Sequence, residues 1–177
     1  MTNLRKPRAF LFDFSGTVVN DLEVTIEAIN HVIREVGGIA VKLGRIEFKR
    51  NFRSPYWQFL QRFGVSRIAA ETVAPKAFQK AYLGQINRAK MFPDVRACLL
   101  RLKATRTQTG IVSSTPRSAI TQVLETHKVR RLFDIIIGFE ECKELKPSPL
   151  PVIKAAESLG VSCPEVVYVG DMVEDIV

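Results

Sequence analysis

Ala9-Phe10-Leu11-Phe12-Asp13-Phe14-Ser15-Gly16-Thr17 opens with four apolar residues and breaks abruptly at an acid. Such a run is too short for a helix and lacks polar alternation, so it reads as a strand buried on both faces, as in a parallel sheet. Three further runs have the same form: Gly110 to Val112 before Ser113, Phe133 to Ile137 before Gly138, and Val166 to Val169 before Gly170-Asp171. Helical patterns separate the later runs. Val95, Cys98, Leu99 and Leu102 share one face of a helix over 94–102. A second helix is expected over 118–127, and a third opens at Ser148-Pro149 and closes at Gly160. This alternation predicts an α/β fold with right-handed crossovers and a doubly wound parallel sheet.

Residues 20–90 carry no convincing buried strand and at least three helical stretches. Asn20 and Glu23 have capping-box spacing, and Leu22, Ile26, Ile29, Ile33 and Val36 repeat at helical intervals up to Gly37-Gly38. Pro55 is expected to start a second helix carrying Tyr56, Phe59, Leu60 and Phe63. The third runs from Ser66 to Ile86 and is expected to divide near Pro75. A helical block set between the first strand and the remaining α/β units predicts an inserted subdomain at 20–90, with the core formed by 1–19 and 91–177.

Composition narrows the class. No apolar stretch approaches the roughly 20 residues that cross a bilayer, and the basic stretch Met1 to Arg8 leads into too few apolar residues for a secretory signal. The three cysteines, Cys98, Cys142 and Cys163, are widely spaced with no CxxC pair, which argues against a disulfide framework or zinc site and for a reducing cytoplasm. The net charge of +8 favours anions. Its basic residues are scattered without a nucleic-acid motif, so a small phosphorylated metabolite is favoured over nucleic acid as the partner, no membrane partner is expected, and a monomer or homodimer is expected.

Ligands of an open parallel sheet bind beyond the C-terminal strand ends, near the switch point. Asp13, Ser113 and Asp171 collect there, and Lys146 joins them from the loop after the third strand. Two carboxylates brought together repel, and a divalent cation between them resolves the conflict; Mg2+ suits a site that offers carboxylates, water and substrate phosphate. Lys146 and the metal would neutralise a phosphoryl group and Ser113 would bond its oxygens. Asp13 is then left to attack phosphorus.

The whole pattern resembles the haloacid dehalogenase-like (HAD) superfamily. Asp13-Phe14-Ser15-Gly16-Thr17 is similar to its first motif, usually DxDGT, and Ser113 to the Ser/Thr of the second. Lys146-Pro147-Ser148-Pro149 is similar to KPxP, and Gly170-Asp171-Met172-Val173-Glu174-Asp175 to the acidic GDxxxD. The resemblance implies a Rossmann-like core with a helical cap, as in phosphoglycolate phosphatase-like members. It implies a magnesium-dependent phosphatase that forms an aspartyl-phosphate on Asp13. Asp13, Asp171, Asp175 and the Ser15 backbone carbonyl would hold the metal. Ser113, or its neighbour Ser114, together with Lys146 and Thr17, would bind the phosphoryl group.

Two positions depart from the family pattern. Ser15 stands where phosphatases of the family carry a second aspartate as general acid and base, a role in which serine is poor. A slow phosphatase, one for good leaving groups, a phosphonoacetaldehyde hydrolase-like enzyme with a cap lysine (Lys42 or Lys49), and a phosphate- or partner-binding remnant all remain open. The sequence also stops at Val177, two residues beyond Asp175, whereas family members usually continue. The C-terminal part of the core is therefore expected to be missing.

Overall fold

The computed structural model describes residues 6–39, 42–52, 56–141, 144 and 146–175, with Tyr56 and Trp57 described in backbone only. Pro55, Arg53, Cys142 and Val177 lie outside the described residues. The chain divides into two compact units, residues 1–20 with 90–177 and residues 21–89. The first holds the strands β1 (Ala9–Phe12), β2 (Val19–Asn20), β3 (Lys90–Met91), β4 (Gln108–Val112), β5 (Ile135–Ile137) and β6 (Val166–Val169). The second holds helices α1 (Leu22–Glu35), α2 (Arg45–Asn51), α3 (Tyr56–Gln61), α4 (Arg67–Thr72) and α5 (Ala74–Leu83). Helices α6 (Val95–Ala104), α7 (Arg117–Thr126) and α8 (Leu150–Leu159) belong to the first unit.

The α/β class follows from the apolar runs. β4, β1 and β6 are parallel, with Ala9 opposite both Gln108 and Val166, and β5 pairs parallel with the outer side of β4. The order β5-β4-β1-β6 means that the chain winds outward from β1 and then returns to its other side. The reversal beside β1 is the switch point of a doubly wound sheet, and Asp13 follows β1 directly. Leu11 and Ile111 are fully buried, as a strand covered on both faces requires. The helix expected from Ser148-Pro149 begins at Leu150 and ends at Gly160, whose φ of 66° gives the left-handed cap.

In the helical unit, Ile26, Ile29, Val32 and Ile33 of α1 pack with Leu43, Phe59, Leu60 and Phe63. Phe48, Phe52, Phe59 and Phe63 form a chain of aromatic contacts at 4.7–6.0 Å between ring centres. One expectation needs correction, and two features were not anticipated. The N-cap of α1 is Asp21, with no side-chain capping bond, so the Asn20–Glu23 box does not form; Glu23 pairs with Arg45 instead. Residues 45–51 form a helix that the apolar pattern does not signal. β2 and β3 make a two-residue antiparallel pair where the chain leaves and re-enters the sheet unit. No helix among the described residues is long and apolar enough to cross a membrane.

Candidate active site

Asp13 and Asp171 follow the ends of β1 and β6, and Asp175 lies in the short 3-10 turn after Asp171. Asp13 follows β1, and its N–H donates to the Val169 carbonyl at 2.8 Å, which extends the β1–β6 pairing by one step. The Asp13 carboxylate accepts from the Phe14 N–H at 2.7 Å. The chain then turns tightly: Val18 and Val19 both donate to the Phe14 carbonyl, and Gly16 donates to Val19. Gly16 has φ 77°, and a Cβ there would lie 2.4 Å from Oδ2 of Asp171. Gly170 is also confined, since a Cβ on it would lie 2.1 Å from Oδ2 of Asp175. Both positions keep side-chain volume away from the carboxylates.

Asp13, Asp171 and Asp175 each bring an oxygen within 4.8 Å of the others. Asp13 and Asp175 are buried and Asp171 is exposed. The Lys146 ammonium lies 2.9 Å from Asp13 Oδ2 and 2.5 Å from Asp175 Oδ1, with its side chain 11% exposed. The Thr17 hydroxyl donates to Asp171 at 3.3 Å. Lys146 precedes a cis peptide bond to Pro147.

Burial pushes the Asp13 carboxyl above its ordinary value, while Lys146 and a hydrogen bond from Ser113 pull the other way and Asp175 adds to the rise. Burial likewise raises Asp171, partly offset by Thr17 and reinforced by Asp175. Three carboxylates against one ammonium leave an excess of negative charge in a compact, partly buried space. An all-oxygen set of this kind fits a hard divalent cation.

The sequence-predicted residues come together unevenly. Asp13, Asp171, Asp175, Lys146 and Thr17 form one connected cluster. Ser113 is buried, with its hydroxyl donating to that of Thr115 at 3.3 Å and acting to lower the Asp13 pKa, whereas the adjacent Ser114 is exposed. Both line a small void that Lys146 also borders. Ser15 sits in the turn after β1, bridged to Val19. Lys42 and Lys49 lie in the helical unit, in the segment before α2 and within α2, both exposed.

One participant was not legible. The Tyr168 hydroxyl donates to the Val112 carbonyl at 2.8 Å and lies 3.3 Å from the Lys146 ammonium, whose charge sits 5.7 Å from the ring centre. Burial and the neighbouring acids raise its pKa. The available signal was a single phenol in the otherwise aliphatic run Val166-Val167-Tyr168-Val169.

Residues 10–177 match the model of the haloacid dehalogenase-like hydrolase family, and the chain belongs to that family. A phosphoglycolate phosphatase of Xanthomonas campestris is 29% identical over 174 residues, covering 98% of this chain and 78% of the relative. The structure of a Clostridium acetobutylicum protein described as a predicted phosphatase shares the fold, with a TM-score of 0.81, 21% identity and coverage of 97% and 79%. CbbY of Rhodobacter sphaeroides, solved in complex with phosphate, superposes with a TM-score of 0.72 at 18% identity, covering 95% of this chain and 79% of CbbY.

Proposed function

We propose that this hydrolase is a phosphatase that cleaves small phosphorylated substrates through an aspartyl-phosphate on Asp13. The reading rests above all on one observation: a buried strand-end carboxylate with a lysine ammonium 2.9 Å away, inside a cluster of three acids at the switch point. The carboxylate set of Asp13, Asp171 and Asp175 would hold Mg2+. When bound, the ion supplies positive charge that makes a phosphoryl group electrophilic and offsets the charge of the nucleophile.

In the first half-reaction an Asp13 oxygen attacks phosphorus, the P–O bond to the leaving group breaks, and that oxygen takes a proton from water. Lys146, held between Asp13 and Asp175, neutralises charge gathering on the phosphoryl oxygens, and Ser113 donates a hydrogen bond to one of them. In the second, water attacks the phosphorus of the acyl phosphate, orthophosphate leaves and the Asp13 carboxylate is restored. The helical unit 21–89 serves in this reading as the cap that selects the substrate. Ser15 directs the choice among substrates. Its hydroxyl is a weak proton donor and a weaker base near neutrality, so leaving groups that depart as stable anions are favoured.

The test is phosphate release from a panel of alkyl, aryl and acyl phosphates, with and without magnesium, by wild type and Asp13→Asn, both checked for folding by circular dichroism. Release that needs the metal and Asp13 is expected. A well-folded wild type that releases nothing from any of them overturns the reading.

A further inference from the structure

The helical unit contains a groove of about 710 Å3 between α1 and α5. Glu27, Asn30, His31 and Arg34 line it from α1, spaced so that all four share one helix face. Lys80 faces them from α5, and Lys42 comes from the segment before α2. That segment is fastened. The buried Asn30 amide donates to the Leu43 carbonyl at 3.1 Å and accepts from the Leu43 N–H at 2.8 Å. Lys42, one residue earlier, is thereby held at the groove wall.

The charges in the groove are unbalanced. Glu27 is taken by Arg88, whose guanidinium meets its two oxygens at 2.5 and 3.1 Å. This pairing, with a smaller contribution from Lys42, holds the Glu27 carboxyl below its ordinary pKa. His31 lies 3.0 Å from Glu35. Arg34, Lys42 and Lys80 make no ion pair among the described residues. Three cations from three chain segments thus border one ligand-sized space, and Glu27, the one acid among the described residues that line it, is already paired with Arg88. Pockets that take small molecules measure roughly 300–1,000 Å3. One phosphate group is small beside this groove, whereas a chain of phosphates can meet several cations at once.

We propose that this groove binds a small anion bearing two or more linked phosphate groups, as an inorganic polyphosphate or a nucleotide does. None of its residues belongs to the Asp13 cluster, and the site does not depend on what reaction that cluster performs.

The test uses the full chain in metal-free buffer, titrated with tripolyphosphate, ATP and orthophosphate by calorimetry, with amide shifts read by NMR. Saturable tripolyphosphate binding, at least tenfold tighter than orthophosphate, is expected, with shifts around Arg34, Lys42 and Lys80. Arg34→Glu or Lys80→Glu should weaken it at least tenfold. Lys76→Glu is the control, because it changes net charge equally from an exposed position on α5 outside the groove, and it should change affinity less than twofold. Tighter binding of ATP than of tripolyphosphate would show that the groove takes the nucleotide, and equal binding that it reads the phosphate chain alone. Absence of saturable binding overturns the proposal. So does an equal loss in Lys76→Glu, which would mean only general attraction to a basic protein, or shifts confined to Ser113, Lys146 and Asp171.

Discussion

The Tyr168 hydroxyl reaches the Val112 carbonyl at 2.8 Å although β1 lies between the two strands that carry them. The bond crosses the C-terminal end of β1 just where Asp13 begins, and it ties together the strands that present Ser113 and Asp171. Tyr168→Phe keeps the ring beside Lys146 and loses this link. We expect a loss of about 0.5–1.5 kcal/mol, the usual net worth of such a hydrogen bond, measured by urea unfolding, with phosphate release lowered but not abolished.

Lys146 separates two buried carboxylates. Lys146→Ala leaves Asp13 and Asp175 facing each other without a counter-charge, and breaking a buried pair by removing one partner costs about 3–5 kcal/mol. Denaturation of the metal-free protein should show this loss. Magnesium should recover part of it, because a cation that binds only the folded state stabilises that state. Activity should stay at least about 100-fold down at saturating magnesium, since in the proposed mechanism the phosphoryl oxygens lose their ammonium.

Asp13→Asn separates function from stability. It removes the proposed nucleophile, so turnover should vanish. It also removes a carboxylate whose pKa burial has raised above the ordinary 3.8. A raised acid binds more protons in the folded state, so wild type loses stability as pH climbs from 3.8 through the raised value, and the loss persists above it. In metal-free buffer at neutral pH the variant should therefore be the more stable, by about 0.5–2 kcal/mol. The gap should close on acidification below that window. Equal stability at all pH values would mean that Lys146 fully offsets the burial.

Ser15→Asp adds a proton donor and acceptor two residues from the proposed nucleophile, Asp13. Alkyl phosphates, whose leaving groups need a proton, should gain about 10²–10⁴-fold in kcat. Aryl and acyl phosphates should gain far less. A plot of log kcat against leaving-group pKa should be steep for wild type and shallow for the variant. Parallel lines would show that the limit on wild type lies elsewhere.

The strand-end acids were legible because unbroken apolar runs ending in Asp13 and in Gly170-Asp171 have few readings other than a covered parallel sheet. The helical unit was legible in outline from the stripe of Ile26, Ile29 and Ile33. α2 escaped because none of its residues is fully buried and it sets only Phe48 against the core, too little for a periodic stripe. β2 and β3 escaped because a two-residue strand has no period. Asn20 and Glu23 misled, since spacing alone does not tell which partner wins, and Glu23 turns to Arg45, 22 positions away. The choice between Ser113 and Ser114 needed tertiary structure, because β4 is covered on both faces and its burial does not alternate, and only the fold buries Ser113 and exposes Ser114.

Thr17 and Asp171 meet across 154 positions of chain, and Lys146 joins Asp175 across 29. Contacts so distant form late, after loop closure has been met by sheet pairing. The acidic cluster is therefore expected to assemble after the sheet, so that a cation does not nucleate it. Magnesium should slow unfolding while leaving the refolding rate almost unchanged.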